Sequence, residues 1–171
     1  ELLGDAFLGY GNLTVWKPDA EEQFTKALDA YNRGIEIEPN DADAIWKRSI
    51  VHQLLRQNEE RLKDCLRALE IEPKNAYRQM HVAGGFRLGF GSALKDSSRA
   101  IEHAREACRL EPNNARYHAV LGGCYLSHGE IVLALKACDR AIELDPSLDR
   151  GYIFRSLAFN RSGDFQKALD D

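Results

Sequence analysis

Long apolar runs and an excess of basic residues are missing from this chain of 171 residues. No stretch approaches the roughly 20 consecutive apolar residues of a transmembrane helix, so we expect no insertion into a membrane. Lys and Arg number 23 against 27 Asp and Glu, which gives a net charge of −4. Because nucleic-acid-binding proteins usually carry a basic excess, this balance argues against a nucleic-acid partner. The start of the sequence also lacks the basic residues that are typical of a signal peptide.

Motifs for catalysis and for metal or cofactor binding are missing as well. The chain has no G-x-S-x-G, H-E-x-x-H or Walker sequence, and its five histidines are scattered without an acidic partner in sequence. The glycine-rich segment of residues 85–91 lacks the lysine of a phosphate-binding loop and follows a predicted helix. Cys124 and His128 have the i, i+4 spacing of a helical metal pair, but two ligands do not make a zinc site. We therefore predict that the protein is not an enzyme and that it binds no cofactor or metal.

The four cysteines do not form a CxxC pair. Each lies among apolar neighbours on a predicted inward helix face, which is typical of small buried hydrophobic residues in a reducing compartment. Cys124 and Cys138 fall on the two helices of one predicted hairpin, but this spacing alone does not set the Cα separation that a disulfide needs. Reduced cysteines predict a cytoplasmic location.

What the chain does contain is a helical hairpin between Ala115 and Pro146. Its first helix is predicted over residues 115–128 and ends at Gly129, which can take a positive φ without the steric penalty of a Cβ atom. Its second helix is predicted over residues 130–144, where apolar and small residues recur at spacings of three and four. Proline then prevents the helix from continuing. Since the hairpin cannot bury its apolar face alone, it predicts neighbouring copies of itself.

Copies of this hairpin recur, each closed by an acidic residue and a proline. The closing prolines lie at intervals of 34, 39 and 34 residues and are Pro39, Pro73, Pro112 and Pro146. This chain resembles the tetratricopeptide repeat family over nearly its whole length, since that family repeats every 34 residues or so with the pattern W-x2-L-G-x2-Y, A-x3-F and P. The residues of the hairpin that match the pattern are Leu121, Gly122, Tyr125, Ala134, Ala141 and Pro146. His118 stands in the place of the tryptophan, and Cys138 in that of the phenylalanine.

The resemblance implies an all-α fold, a right-handed superhelical solenoid of antiparallel helix pairs that forms a single array over residues 1–171. The approximate repeats are 1–39, 42–73, 76–112, 115–146 and a truncated unit at 149–171. In the first unit, the second helix is predicted over Ala20–Ile37, with Asp19 as its N-cap. A helix as short as the last one cannot cover its partner, so we expect the native protein to continue into further repeats.

Two insertions lengthen the turns between the helices of a repeat. The turn of residues 11–18 in the first unit carries Trp16, and the turn of residues 89–96 in the third carries Phe90. Because equivalent turns of a solenoid share an edge, we expect Trp16 and Phe90 to lie on one edge as a second contact surface. Trp16 can alternatively be a lid over the first repeat, and both insertions can be tolerated loop length.

The resemblance also implies that the first helices of successive repeats line a concave groove, which holds a peptide in extended or helical form. The groove residues are then those on the side of each first helix that does not pack against its partner, at spacings of three, four and three. In chain order they are Asp43, Trp46, Ile50, Gln53, Tyr77, Met80, Gly84, Arg87, Arg116, Ala119, Gly123, Leu126, Arg150, Ile153, Leu157 and Asn160.

Within that set we predict which residues contact a bound peptide. They are Trp46, Ile50, Tyr77, Met80, Arg87, Arg116, Arg150, Ile153 and Asn160. Three arginines along an open floor favour a peptide that carries carboxylates, since guanidinium groups bind carboxylates with paired hydrogen bonds. Two alternatives stay open at this point. The arginines can instead pair with neighbouring Glu or Asp, and Trp46 can belong to the core if the register of its helix is shifted.

We therefore expect a protein-interaction scaffold that binds a peptide or a partner's helix. One alternative is a homo-oligomeric assembly module that stacks through its terminal repeats, with the C-terminal end exposed. Another is the targeting or regulatory part of a larger enzyme. Co-chaperones of the family grip a C-terminal carboxylate with lysines and asparagines on these helices. The matching places here hold mostly other residues, so that tail clamp is not expected.

Overall fold

The computed structural model describes residues 18–89 and 95–171, and within these ranges the regular structure is α-helical. Trp16, Phe90 and the first helix of the first repeat lie outside the described residues, and so does the predicted shared edge. The helices are α1 (Pro18–Ile37), α2 (Ala42–Leu54), α3 (Asn58–Ile71), α4 (Ala76–Leu88), α5 (Ser97–Leu110), α6 (Ala115–His128), α7 (Ile131–Leu144), α8 (Asp149–Ser162) and α9 (Phe165–Asp170).

The helices pack as consecutive pairs. The most extensive contacts join α2 to α3, α4 to α5 and α6 to α7, and each pair then packs on the next through α3 with α4, α5 with α6, and α7 with α8. Among the first helices, α6 also packs directly against both α4 and α8. This arrangement confirms the predicted all-α solenoid of helix pairs. None of the helices in the described ranges is long and apolar enough to cross a membrane.

The beginning of α1 differs from the prediction. The helix begins at Pro18 instead of Ala20, so Asp19 lies inside the helix and the prediction of Asp19 as its N-cap is wrong. Proline suits the first helical position because its fixed φ is helical and its missing N–H has no intrahelical partner there. The first helices of the next two units have side-chain caps: Asp41 accepts hydrogen bonds from two amides of α2, and Asn75 accepts one from Arg78.

Three of the first helices end at a glycine in the left-handed conformation. Gly89, Gly129 and Gly163 have φ values of 100°, 93° and 83° and follow α4, α6 and α8. After α2 the non-glycine residue Arg56 has a φ of 59°. Since a Cβ atom makes this conformation less favourable, the second repeat makes the same turn at a higher local cost.

Small residues allow the two helices of a repeat to approach closely. The side chains of Ala100, Ala104 and Ala107 on α5, and of Ala134 and Ala141 on α7, are fully or nearly fully buried. A Cβ atom added at Gly122 of α6 would lie 2.5 Å from the Cys138 Sγ atom and 3.3 Å from the Ala134 carbonyl oxygen. The α6–α7 contact therefore requires glycine at residue 122.

The second repeat replaces part of this apolar contact by a polar network. Arg48 donates from Nε and Nη2 to both carboxylate oxygens of Asp64, at 2.7 and 2.6 Å, and from Nη1 to the Asn32 side chain at 2.9 Å. These bonds to Asp64 raise the pKa of the Arg48 guanidinium. Ser49 is buried and donates to the Trp46 carbonyl oxygen at 2.6 Å. The network joins α1, α2 and α3, and it explains why Arg48 and Ser49 depart from the Leu-Gly of the family pattern.

The glycine requirement gives a prediction for stability. We expect Gly122→Ala to destabilise the protein by about 1–3 kcal/mol, because the added methyl group forces α6 and α7 apart. Gly34→Ala is the matched control, since a Cβ atom at this helical glycine of α1 meets no described residue within 4 Å. It should stabilise the protein by about 0.5–1 kcal/mol through helix propensity. Urea denaturation followed by circular dichroism measures both, and equal midpoints for the two variants would contradict the prediction.

Candidate functional site

The candidate site is the layer formed by the first helices α2, α4, α6 and α8. The second helices α3, α5 and α7 all pack against the same side of this layer. The opposite side of the layer is therefore the inner surface of the solenoid. Helical arrays of this kind bind their partners on such a surface. Each first helix contributes four residues to this surface, at its second, sixth, ninth and thirteenth places. We call these sixteen residues the inner face.

The spacing of four, three and four keeps these residues on one side of each helix. All are exposed or partly exposed except Gly123. They are Asp43, Lys47, Ile50 and Leu54 on α2, Tyr77, His81, Gly84 and Leu88 on α4, Arg116, Val120, Gly123 and Ser127 on α6, and Arg150, Phe154, Leu157 and Arg161 on α8.

Trp46 and Met80 do not belong to the inner face. Both are only 8% exposed and lie within the hydrophobic core. The Trp46 ring packs edge-on against Tyr77 and His81 of the next first helix, with centroid distances of 6.1 and 5.7 Å. The structure therefore corrects the assignment of Trp46 and Met80 to the groove surface: the fifth place of a first helix faces its neighbouring first helix, and the core alternative for Trp46 is the right one.

Other predicted groove residues are accessible. Ile50 and Tyr77 are 38% and 42% exposed, Arg116 is exposed, and Arg87 and Arg150 are partly exposed. Sequence reasoning missed Lys47, Leu88, Phe154 and Arg161, because it followed spacings of three, four and three. The spacing of four, three and four from Tyr77 would have found Leu88.

Ile153, Leu157 and Asn160 are exposed for a different reason. The residues 34 positions earlier, Ala119, Gly123 and Leu126, are buried where α8 packs on α6. Within the described part of the chain no helix covers the corresponding side of α8, and Ile153 is 55% exposed there. These three residues therefore form the terminal face of the array, together with the exposed Phe165 and Leu169 of α9.

Two glycines at the same place in consecutive repeats have different surroundings. A Cβ atom at Gly123 would lie 2.8–3.1 Å from three ring atoms of Phe154, whereas one at Gly84 would have no atom of the described residues within 4 Å. The Phe154 ring in turn has the Arg87 guanidinium 5.4 Å from its centroid. Since Arg87 belongs to α4 and Phe154 to α8, these two side chains meet across α6. Gly123 makes this contact possible because it places no side chain of α6 between Arg87 and Phe154.

The charge of the inner face is opposite to that of the whole chain. Its cations are Lys47, Arg116, Arg150 and Arg161, and its acidic residue is Asp43, which forms an ion pair with Arg78. Among the described residues, Arg87 and Arg116 are not within salt-bridge distance of a carboxylate. The pKa of Asp145 is lowered by hydrogen bonds from Ser147 and, to a smaller extent, by the charge of Arg116. Arg161 donates to the Leu126 carbonyl oxygen at 2.6 Å.

The cysteines are free and buried. Burial raises the pKa of Cys108, Cys124 and Cys138 to about 12 and also raises that of Cys65. Thiols of this kind are unreactive core residues, as predicted. Within residues 18–89 and 95–171, no group of three or more His, Cys, Asp and Glu side chains is arranged to hold a metal ion.

Comparison with known proteins identifies the fold. The family model for the tetratricopeptide repeat matches residues 93–149, which span part of the third repeat, the whole of the fourth and the first residue of the fifth. Over these residues the chain is similar to the tetratricopeptide repeat family.

Relatives and solved structures agree with this assignment. The Hsp70-Hsp90 organizing protein of Triticum aestivum is 32% identical over 71 residues, which are 42% of this chain and 12% of that protein. The chain thus spans a small part of the curated relatives that it matches. The crystal structure of MamA superposes with a TM-score of 0.76 at 19% identity and covers 95% of this chain and 91% of that one. YrrB, a tetratricopeptide repeat protein with an unusual peptide-binding site, gives 0.73 at 18% identity over 89% and 76%. These structural likenesses show a shared fold.

The partly buried histidine of the inner face, His81, predicts a pH dependence. Burial lowers the pKa of His81 to about 4, and the positive charge of Arg61 adds to the shift. Between pH 6.5 and 4, the unfolded chain therefore binds a proton on this ring that the folded chain does not, so stability falls as the pH drops through this window. We expect His81 to account for a loss of about 2 kcal/mol between pH 7 and 5.

Urea unfolding at pH 7 and pH 5 measures this loss. His81→Gln should reduce the difference between the two pH values, whereas His128→Gln, at an exposed histidine, should leave it unchanged. The same pH dependence in the wild type and in His81→Gln would show that His81 is not the group responsible.

Proposed function

We propose that the chain is a protein-interaction scaffold that binds a peptide segment, or a helix of a partner protein, along its inner face. The observation that carries this proposal is the combination of exposed apolar and cationic side chains on one surface. Ile50, Tyr77 and Leu88 are 38%, 42% and 70% exposed there, and Lys47 and Arg116 lie on the same surface. A surface that is apolar and lined with a few polar groups is typical of ligand-binding grooves.

The relatives support a role in binding proteins or peptides. The name of the wheat relative refers to the organization of Hsp70 and Hsp90, and YrrB has a peptide-binding site. We extend this kind of role, but not these partners, to the chain described here. The role requires no catalytic residue. The four free thiols suit a reducing compartment, and we propose that the protein acts in the cytoplasm.

We further propose that the bound segment is acidic. The inner face carries four cations against one acidic side chain, which is itself ion-paired, in a chain whose net charge is −4. Complementary charge increases the rate of association and disfavours ligands of the same sign. A peptide that contains Asp or Glu is attracted by the cations of the inner face. The acidic residues on the rest of the chain's surface repel the same peptide and so disfavour its binding elsewhere.

Selection from a phage-displayed library of random 12-residue peptides tests this proposal. The wild-type chain should enrich peptides rich in Asp and Glu, and binding should weaken as salt is added because exposed charges are screened. Lys47→Glu with Arg116→Glu should weaken the selected peptides by about tenfold or more, as expected when close charge pairs are lost. Fluorescence anisotropy with a labelled selected peptide measures the dissociation constants.

The matched control reverses one arginine and one lysine on second helices, as Arg33→Glu with Lys136→Glu. Both residues are exposed and lie on α1 and α7, away from the inner face. This variant has the same net charge as the test variant, so it separates local recognition from the overall charge. Equal weakening by both variants would place the binding site elsewhere, and a wild-type chain that selects no peptide would overturn the proposal.

The exposed terminal face supports a second candidate, assembly into a homo-oligomer. Ile153, Leu157, Phe165 and Leu169 are 55%, 45%, 63% and 80% exposed on α8 and α9, which is a large apolar surface. If two chains associate there, sedimentation velocity should show a mass that rises with concentration and returns to that of a monomer in Leu157→Glu with Leu169→Glu. A concentration-independent monomer would exclude this alternative.

A further inference from the structure

We infer that the space above Gly84 receives one apolar side chain of the bound peptide, and that Arg87 pairs with a carboxylate beside that side chain. This inference rests on the proposed binding of a peptide at the inner face. It adds a position and a sequence requirement: the ligand is a peptide in which a large apolar residue lies next to Asp or Glu.

The contrast between Gly84 and Gly123 shows what fits this space. Both glycines lie at the ninth place of a first helix, 39 residues apart, as are Pro73 and Pro112, the prolines that precede their repeats. At Gly123 the protein's own Phe154 ring lies on the helix, with ring atoms 2.8–3.1 Å from the position of a Cβ atom. At Gly84 the same position has no neighbour within 4 Å among the residues that the structure describes. An aromatic or leucine side chain of a ligand can pack on Gly84 as Phe154 packs on Gly123.

The surroundings of Gly84 along α4 are apolar and partly rigid. Tyr77 and His81 lie two turns and one turn before it, with ring centroids 4.3 Å apart, and both rings also contact the buried Trp46. Leu88 follows one turn after Gly84 and is 70% exposed. The ligand's apolar side chain would therefore lie between a fixed aromatic group and an exposed leucine. Covering this leucine removes apolar surface from water, which favours binding.

Arg87 supplies the charge that selects the neighbouring residue of the ligand. Its guanidinium lies over the Phe154 ring, and its Nε atom is buried without a hydrogen-bond partner among the described residues. A buried donor without a partner is unfavourable. The positive charge of the same side chain, which is partly exposed, would be stabilised by a nearby carboxylate of the ligand. Residues three apart on a helix have Cβ atoms about 5–6 Å apart, so the apolar group above Gly84 and the carboxylate at Arg87 belong to neighbouring residues of an extended peptide or to one face of a helix.

The experiment uses a fluorescently labelled peptide from the 12-residue library that binds the wild-type chain. Gly84→Leu fills the space from the protein's own side. It should fold, because the added side chain meets open space and leucine favours a helix more than glycine does. We expect it to bind the peptide about tenfold or more weakly, a loss typical of one hydrophobic contact. Replacement of the peptide's apolar residue by alanine should weaken binding to the wild type but not weaken binding to Gly84→Leu further.

Gly34→Leu is the matched control, since Gly34 is also a helical glycine with open space but lies on α1. It should bind like the wild type. Arg87→Gln should lose the preference for Asp or Glu beside the apolar residue, while its preference for the apolar residue stays. Selection of the same sequences by the wild type and by Arg87→Gln would overturn the role of Arg87.

The outcomes separate this inference from the proposed function. If the wild type binds acidic peptides and Gly84→Leu binds them equally well, the inner face binds peptides but the space above Gly84 is not used, and the inference is wrong. If the wild type selects no peptide, the proposed function fails and the inference fails with it. If the inner face binds no peptide but binds a second copy of this chain, the occupant is that second copy and the inference is wrong.

Discussion

Close contact between helices at small residues determines how this array is built. Gly122 lies where a single methyl group would collide with Cys138, and the buried alanines of α5 and α7 keep their partner helices near. At such distances the helices are held by dense van der Waals contact, which is weak for each atom pair but large in sum. The orientation of every first helix follows from this contact, and so does the set of side chains on the inner face.

The second repeat shows a different solution to the same packing problem. Arg48 and Asp64 replace apolar contact by a bidentate ion pair, and Asn32 extends it to α1. A largely buried pair of this kind contributes less to stability than apolar packing does, but losing one partner leaves a costly unpaired charge. The pair therefore fixes the relative position of α1, α2 and α3 more than it stabilises them. As a result, α2, the first helix of the inner face, has a well-defined position against its neighbours.

The fold could be predicted from the sequence because its determinants are local. Helix ends follow from Gly129 and from the closing prolines, and the observed bounds of α6 match the predicted ones residue by residue. The binding surface was harder, because exposure depends on the angle between neighbouring helices. The burial of Trp46 follows from its contacts with Tyr77 and His81 in the next repeat. The contact of Arg87 with Phe154, which are 67 residues apart, is not encoded in any local pattern.

That last contact changes how the array should unfold. Repeat proteins are commonly treated as one-dimensional chains, in which each repeat interacts only with its immediate neighbours. Arg87 of the third repeat and Phe154 of the fifth interact directly across the fourth. A nearest-neighbour description of the unfolding transition therefore lacks one coupling term here. Fraying that begins at α8 is opposed from two repeats away, which extends the cooperative unit beyond adjacent repeats.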